Sequence, residues 1–158
     1  MPAQSNVHAR LEAIGLVAAP AGTPPDWMTP VNLHGHHGYV SGQVAFGPDG
    51  TLIAQGRLGE SIGMDVGVQC ARQAAANALA VLERALGDLD AIAHLQRLMV
   101  YVACEPGFIS QPDVANGASE VFFSVLADRG RHARTAIGVA ALPLGSPVEL
   151  DLTFALVP

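Results

Sequence analysis

The residues best suited to chemistry are a cation, Arg134, and a carboxylate, Glu149, in the last quarter of a 158-residue chain. A planar guanidinium can hold a carboxylate through two charge-assisted hydrogen bonds, and a well-placed carboxylate can orient water. If the segment carrying Arg134 is a strand, Ala136, Gly138 and Ala140 follow it on the same face. Such small residues leave room for a ligand or another chain to approach the backbone. A small anionic substrate would suit this arrangement. An ordinary packed sheet edge would show it too, with Arg134 in an ion pair to Glu149 or Asp151 and Glu149 simply facing solvent. A second cluster is His34, His36 and His37. His34 and His36 at strand spacing could chelate zinc, but no third ligand lies nearby and the cluster falls at a turn, so no metal is expected. The chain has no Ser-His-Asp order, phosphate loop or nicotinamide fingerprint, and no cofactor is expected.

The elements that must position these residues follow from periodicity. Val148, Leu150, Leu152, Phe154 and Leu156 alternate with Glu149, Asp151, Thr153 and Ala155. That pattern predicts a strand with one face in the core and both carboxylates turned the other way. A break at Pro143, Gly145 and Pro147 separates it from the strand bearing Arg134. Upstream, residues 8–15 predict a short helix ended by Gly15. Residues 19–30 hold four prolines and predict an irregular connector, whose Trp27 and Met28 either pack over a sheet edge or wall a pocket. Residues 31–34 and 39–44 predict a hairpin, and residues 51–54 a further extended piece. From 64 to 86, Val68, Ala71, Ala75, Ala78, Leu79, Leu82 and Leu86 keep a helical period opposite Gln69, Arg72, Gln73 and Glu83, and Gly87 stops the run. Residues 95–104 are mostly apolar and predict a central strand. Ser110 as cap, Pro112 and Asp113 open a second helix, with Val114, Ala118, Val121, Phe122 and Val125 inward and Gly130 at its end. The order ββαβαββ predicts an α+β domain, one mixed sheet with two helices on one face.

Half of the chain is apolar, 14% is charged, and the mean hydropathy is +0.33. That excess predicts surface buried against further copies of the chain. No apolar run approaches the ~18 residues of a membrane span, and no membrane partner is expected. The N-terminus lacks a basic region followed by an apolar one, and Cys70 and Cys104 lack metal or redox spacing. Both observations point to a reducing compartment, with the cytoplasm as the default. The net charge is -6, and the eight cations are scattered. Nucleic-acid binding depends on clustered cations, so no nucleic-acid partner is expected.

Three separated motifs carry a family resemblance: Val40-Ser41-Gly42-Gln43, the helix running from Asn116 to Phe123, and Arg134-Thr135-Ala136 followed by Leu142-Pro143 and Pro147-Val148-Glu149. In this order they resemble the Rid/YjgF family of reactive-intermediate (enamine/imine) deaminases, over roughly residues 28–156. The resemblance implies a chorismate-mutase-like fold and a homotrimer, with sheets packed inside and helices outside. The chain then divides into an N-terminal extension, residues 1–27, and a family-like domain, residues 28–158. The resemblance implies that Arg134 grips the substrate carboxylate and that Glu149 positions the hydrolytic water. It implies that the Gly42 N–H faces the ligand, with Ser41 beside it, Asn116 at the pocket mouth and Pro143 in the adjoining signature. Ala136 stands where the family has a cysteine, leaving only its backbone to contribute. Counted back from Ser41, the family tyrosine falls on Met28, which makes that wall apolar.

The implied function is cofactor-free hydrolysis of small enamine or imine acids to 2-keto acids and ammonia. The missing cysteine and tyrosine motivate a rival, a non-catalytic trimeric binder of small carboxylates or a regulatory protein. A ribonuclease, the activity under the family's older names, is disfavoured by the acidic charge. If the last two strands formed a plain hairpin, Arg134 and Glu149 would lie roughly 20 Å apart. Either those strands are not neighbours or the pocket takes a residue from an adjacent subunit, with the segment at Trp27 and Met28 another donor.

Overall fold

The computed structural model describes residues 6–158. Its elements are α1 (Asn6–Ala13), β1 (Val31–His34), β2 (His37–Val44), α2 (Met64–Leu86), β3 (Ile92–Ala103), α3 (Gln111–Leu126), β4 (Ala133–Val139) and β5 (Val148–Leu156). The five strands form one sheet in the order β1-β2-β5-β3-β4. β3 and β4 run parallel, joined by the crossover through α3, and the other pairs are antiparallel. β3 therefore sits between β4 and β5, and the last two strands are not neighbours.

The alternation of apolar residues decides which face the helices cover. Leu98, Val100 and Val102 of β3 and Val148, Leu150, Leu152 and Phe154 of β5 are almost wholly buried. Each such side chain contributes about 1.5–3 kcal/mol relative to exposure. They meet α2 and α3, where Ala71, Ala74, Ala75, Ala78, Leu79, Val121 and Phe122 are equally buried. Alanines let the 23-residue α2 approach the sheet closely. Gly38 pairs with Phe154 across β2 and β5, and a Cβ at Gly38 would strike the Phe154 ring. The bare backbone there makes room for the largest side chain in the sheet's buried layer. The opposite sheet face carries Tyr39, Tyr101, Ile137, Glu149 and Asp151, and among the described residues no helix covers it. Tyr39 is 50% exposed and Ile137 41%.

Some local expectations differ. Residues 51–54 form no strand; a single bridge joins Phe46 to Leu52. The turn there is instead closed by Asp49, whose carboxylate accepts from the Thr51 N–H at 2.9 Å. β3 begins at Ile92, earlier than its apolar run predicts. Ser110 occupies the cap position of α3 but makes no side-chain cap bond, and α3 ends at Leu126 before a short 3-10 turn reaches Gly130. Gln73, expected on the solvent side of α2, is buried at 5%. Its amide donates to Val17 O at 2.9 Å and Asn77 Oδ1 at 3.1 Å. The N-terminal segment makes the difference: α1 and the strand of chain after it bury Val7, Leu11 and Leu16 and roof over that side of α2.

Candidate functional site

The expected site residues fall into two groups. Arg134 lies on the helix-facing side of the edge strand β4, paired in register with buried Leu98. Its Nη1 donates to Asn116 Oδ1 at 2.9 Å and Ser119 Oγ at 3.0 Å, and its Nη2 to Pro112 O at 3.4 Å. All three acceptors are neutral. The alternative ion pair with Glu149 or Asp151 is not formed, and among the described residues no carboxylate pairs with Arg134. Ala136, two residues on, shares that face and packs on the core.

Glu149 is in register with Tyr101, on the uncovered face. Its carboxyl pKa is pushed up, first by burial and then by the neighbouring charge of Asp151. Asp151 in turn accepts from the Tyr101 hydroxyl at 2.8 Å, and that bond to a carboxylate raises the pKa of the phenol. β2 slips register between Val40 and Gln43, and Ser41 and Gly42 occupy the irregularity. A Cβ on Gly42 would meet the Glu149 carboxylate oxygen, with Glu149 Cδ at 3.0 Å. The glycine is therefore required by Glu149, which lies across it. Ser41 donates its hydroxyl to Pro30 O at 3.1 Å and so ties β2 to the connector.

Met28, Ser41 and Gly42 line a cavity of about 370 Å³ between the proline-rich connector and α2. Its floor is pinned by Asn77, buried at 6%. Asn77 Nδ2 donates to Val44 O at 3.0 Å and Phe46 O at 2.9 Å, and its Oδ1 accepts from Ala19 N at 2.8 Å. Trp27 is 88% exposed in the single chain. Pro143 opens a 3-10 turn, Pro143–Gly145, and its neighbours Leu142 and Gly145 line a separate cleft with Gly56 and Arg57.

Within one chain Arg134 and Glu149 do not converge. They stand two strands apart and three residues out of register. At ~4.8 Å per strand and ~3.3 Å per residue, that is roughly 14 Å between backbones, on opposite faces of the sheet. The histidine cluster also differs from expectation: β2 starts at His37, which pairs with His34, leaving His36 in the turn. His37 Nδ1 lies 3.2 Å from Gln96 Oε1. Among the described residues no three metal-ligating side chains come together, and no helix is long and apolar enough to cross a membrane.

The sequence reading assigns no role to two residues beside Arg134, Ser119 and His132. Ser119 Oγ lies 3.0 Å from His132 Nε2 while accepting from Arg134. Spacing alone offered a signal. Ser119 is three residues from Asn116 on one helix, and His132 two residues before Arg134 on an extended segment.

Comparison with known proteins agrees with this architecture. Residues 7–156 match the family described as YjgF/chorismate_mutase-like, putative endoribonuclease. The matched span begins inside α1. Protein TCP17 of Trypanosoma cruzi is 37% identical over 150 residues, covering 94% of this chain and 93% of the relative. The crystal structure of Atu1372 from Agrobacterium tumefaciens superposes with a TM-score of 0.86 at 34% identity, covering 95% of this chain and 91% of that one. RidA from the Antarctic bacterium Psychrobacter is more distant, with a TM-score of 0.59 at 28% identity, over 87% of this chain and 94% of that one. The match across nearly the whole length, in sequence and in fold, shows that this chain belongs to the Rid/YjgF, chorismate-mutase-like family.

Proposed function

We propose that the protein hydrolyses small enamine or imine acids to 2-keto acids and ammonia, without a cofactor, in sites shared between subunits of a homotrimer. The observation that carries this reading is the state of Arg134. Its guanidinium is held from behind by three neutral oxygens and has no carboxylate partner among the described residues. A fixed cation without a counter-ion favours a substrate carboxylate. In the proposed reaction Arg134 holds that carboxylate, and Glu149 accepts a proton from water as the oxygen bonds to the imine carbon. The carbon–nitrogen double bond gives its electron pair to nitrogen. Glu149 then returns that proton to nitrogen. The second water proton passes from the new hydroxyl to nitrogen by way of Glu149, and the carbon–nitrogen bond breaks as the carbonyl forms and ammonia leaves. Burial and the charge of Asp151 raise the Glu149 pKa, which makes its carboxylate a better proton acceptor than a free one.

The opposite-face placement of the two residues in one chain supports sharing between subunits. A second copy docked on the uncovered face would bring its own Arg134 edge towards this chain's Glu149, and would bury Tyr39, Ile137 and the exposed Trp27. Met28 in place of a phenol leaves that wall apolar and favours substrates with an aliphatic side chain. RNA cleavage, which the family description names, is the weaker reading. All eight cations are arginines, and Arg57, Arg72, Arg129 and Arg131 are each paired with a carboxylate. A binder of small carboxylates without turnover remains the rival, and one experiment separates the three. 2-Iminopropionate is generated in situ and its decay followed with the wild type, Arg134→Ala, Glu149→Gln and an equimolar mixture of the two variants refolded together. Each variant alone should lose most activity. The mixture should recover up to about a quarter of wild-type rate, because a quarter of randomly assembled two-subunit sites hold both intact residues. No acceleration by the wild type across several side-chain lengths would refute deamination. Recovery absent from an active wild type would refute the shared site.

A further inference from the structure

A hydrogen-bond chain runs behind Arg134 through Ser119 and His132, two residues to which the family resemblance assigns no role. His132 Nδ1 lies 2.7 Å from Gly130 O. A carbonyl only accepts, so Nδ1 carries the proton. Burial pushes the imidazole pKa down, the nearby charge of Arg134 adds to that, and the Gly130 bond opposes it. The ring is therefore neutral at neutral pH, and Nε2 is an acceptor. Ser119 Oγ stands 3.0 Å from Nε2 and so donates its hydroxyl proton there. That leaves the oxygen lone pairs for Arg134 Nη1, 3.0 Å away. Every proton between Gly130 and the guanidinium thus has one direction. The Phe122 ring meets the imidazole edge-on at 6.1 Å and keeps its plane. Among the described residues lining this cleft of about 440 Å³, the one charged side chain besides Arg134 is Arg131, which is paired with Asp128 and stacked over Phe123.

Ser119 and His132 have the contact of a nucleophile and its base, but the setting argues against that use. Ser119 sits in the middle of α3, where the backbone N–H groups are spent on the helix ladder. No backbone donors remain there for an oxyanion. The arrangement instead serves the arginine. Asn116 and Ser119, one helical turn apart, grip the same Nη1, and His132 fixes which way Ser119 offers its lone pairs.

We propose that Ser119 and His132 are positioning residues that lock the Arg134 guanidinium for a substrate carboxylate, an inference that rests on the deaminase reading of Arg134. Removing the Ser119 hydroxyl takes one acceptor from the cation and frees its rotation. Affinity for a small carboxylate should fall about tenfold, the worth of one hydrogen bond to a charged group. Ser119→Thr, which keeps the hydroxyl, should stay within about twofold. His132→Phe keeps the ring packing and loses the acceptor, and should weaken affinity about threefold.

The test titrates pyruvate calorimetrically into the wild type and the three variants, and measures by NMR the rotation of the ¹⁵N-labelled Arg134 guanidinium in each ligand-free protein. Steady-state kinetics should show the loss in KM, with kcat little changed. Faster guanidinium rotation in Ser119→Ala, restored in Ser119→Thr, is the expected result. Rotation as slow in Ser119→Ala as in the wild type overturns the proposal, as does unchanged pyruvate affinity in that variant. Should the wild type bind no pyruvate, the deaminase reading fails by itself, and the rotation measurement still decides whether Ser119 locks the arginine.

Discussion

Gly42→Ala is the sharpest probe of the Glu149 placement. Gly42 is not among the glycines with positive φ, so alanine meets no backbone strain there. What the new methyl meets is one side chain. It would take the place of a Glu149 carboxylate oxygen, with Cδ at 3.0 Å and Cγ at 3.4 Å. Glu149 is only partly buried and can swing aside. The cost is one side chain pushed off its rotamer, about 0.5–1.5 kcal/mol. For a chain of this size that lowers Tm by less than about 6 °C. Catalysis should suffer far more, because a displacement on the order of 1 Å in a reacting group costs up to ~100-fold. The expected outcome is kcat reduced about 10- to 100-fold for 2-iminopropionate, with near-native melting and an unchanged oligomeric state. A kcat within twofold of wild type would refute the idea that Glu149 acts from its position across Gly42. A collapse in Tm would refute the claim that a mobile carboxylate alone fills that space.

Asn77→Ala should destabilise by about 2–4 kcal/mol, since it orphans the carbonyls of Val44 and Phe46 and the Ala19 N–H in a buried setting. Urea unfolding reads the loss, and limited proteolysis should cut the connector at residues 19–30 sooner; a change under about 1 kcal/mol would show that water replaces the amide at little cost. The pH dependence of stability should carry a His132 contribution. Its folded pKa is depressed by burial, so the unfolded chain binds the proton more readily. Stability is full above the unfolded value of about 6.5 and is lost as pH falls through it towards the lowered folded value. Urea midpoints at about pH 7.5 and 5.5 should differ less in His132→Phe than in the wild type; equal differences would contradict a buried neutral ring.

Much of this protein was legible from local pattern. The alternation along β5 sends Glu149 and Asp151 away from the core because successive side chains in a strand point to opposite faces, whatever the strand pairs with. The helical period of α2 and α3, and the ββαβαββ order that makes one sheet covered on one side, follow from the same local rule. Polar residues were harder. Gln73 reads as solvent-facing by its place on α2, yet it is buried because the segment after α1, some 56 residues earlier in the chain, brings Val17 O to its amide. Residues 51–54 have strand-like composition, yet the Asp49 turn and the single Phe46–Leu52 bridge leave them without a partner ladder. The site depended most on tertiary structure. Insertion of β3 between β4 and β5 separates Arg134 from Glu149 and sets them on opposite faces. Only the packing of α3 against β4 brings Ser119 to both His132 and Arg134. Strand order and helix docking arise from contacts between residues distant in sequence, and a pattern that repeats every two or four residues carries no information about which distant partner will be met.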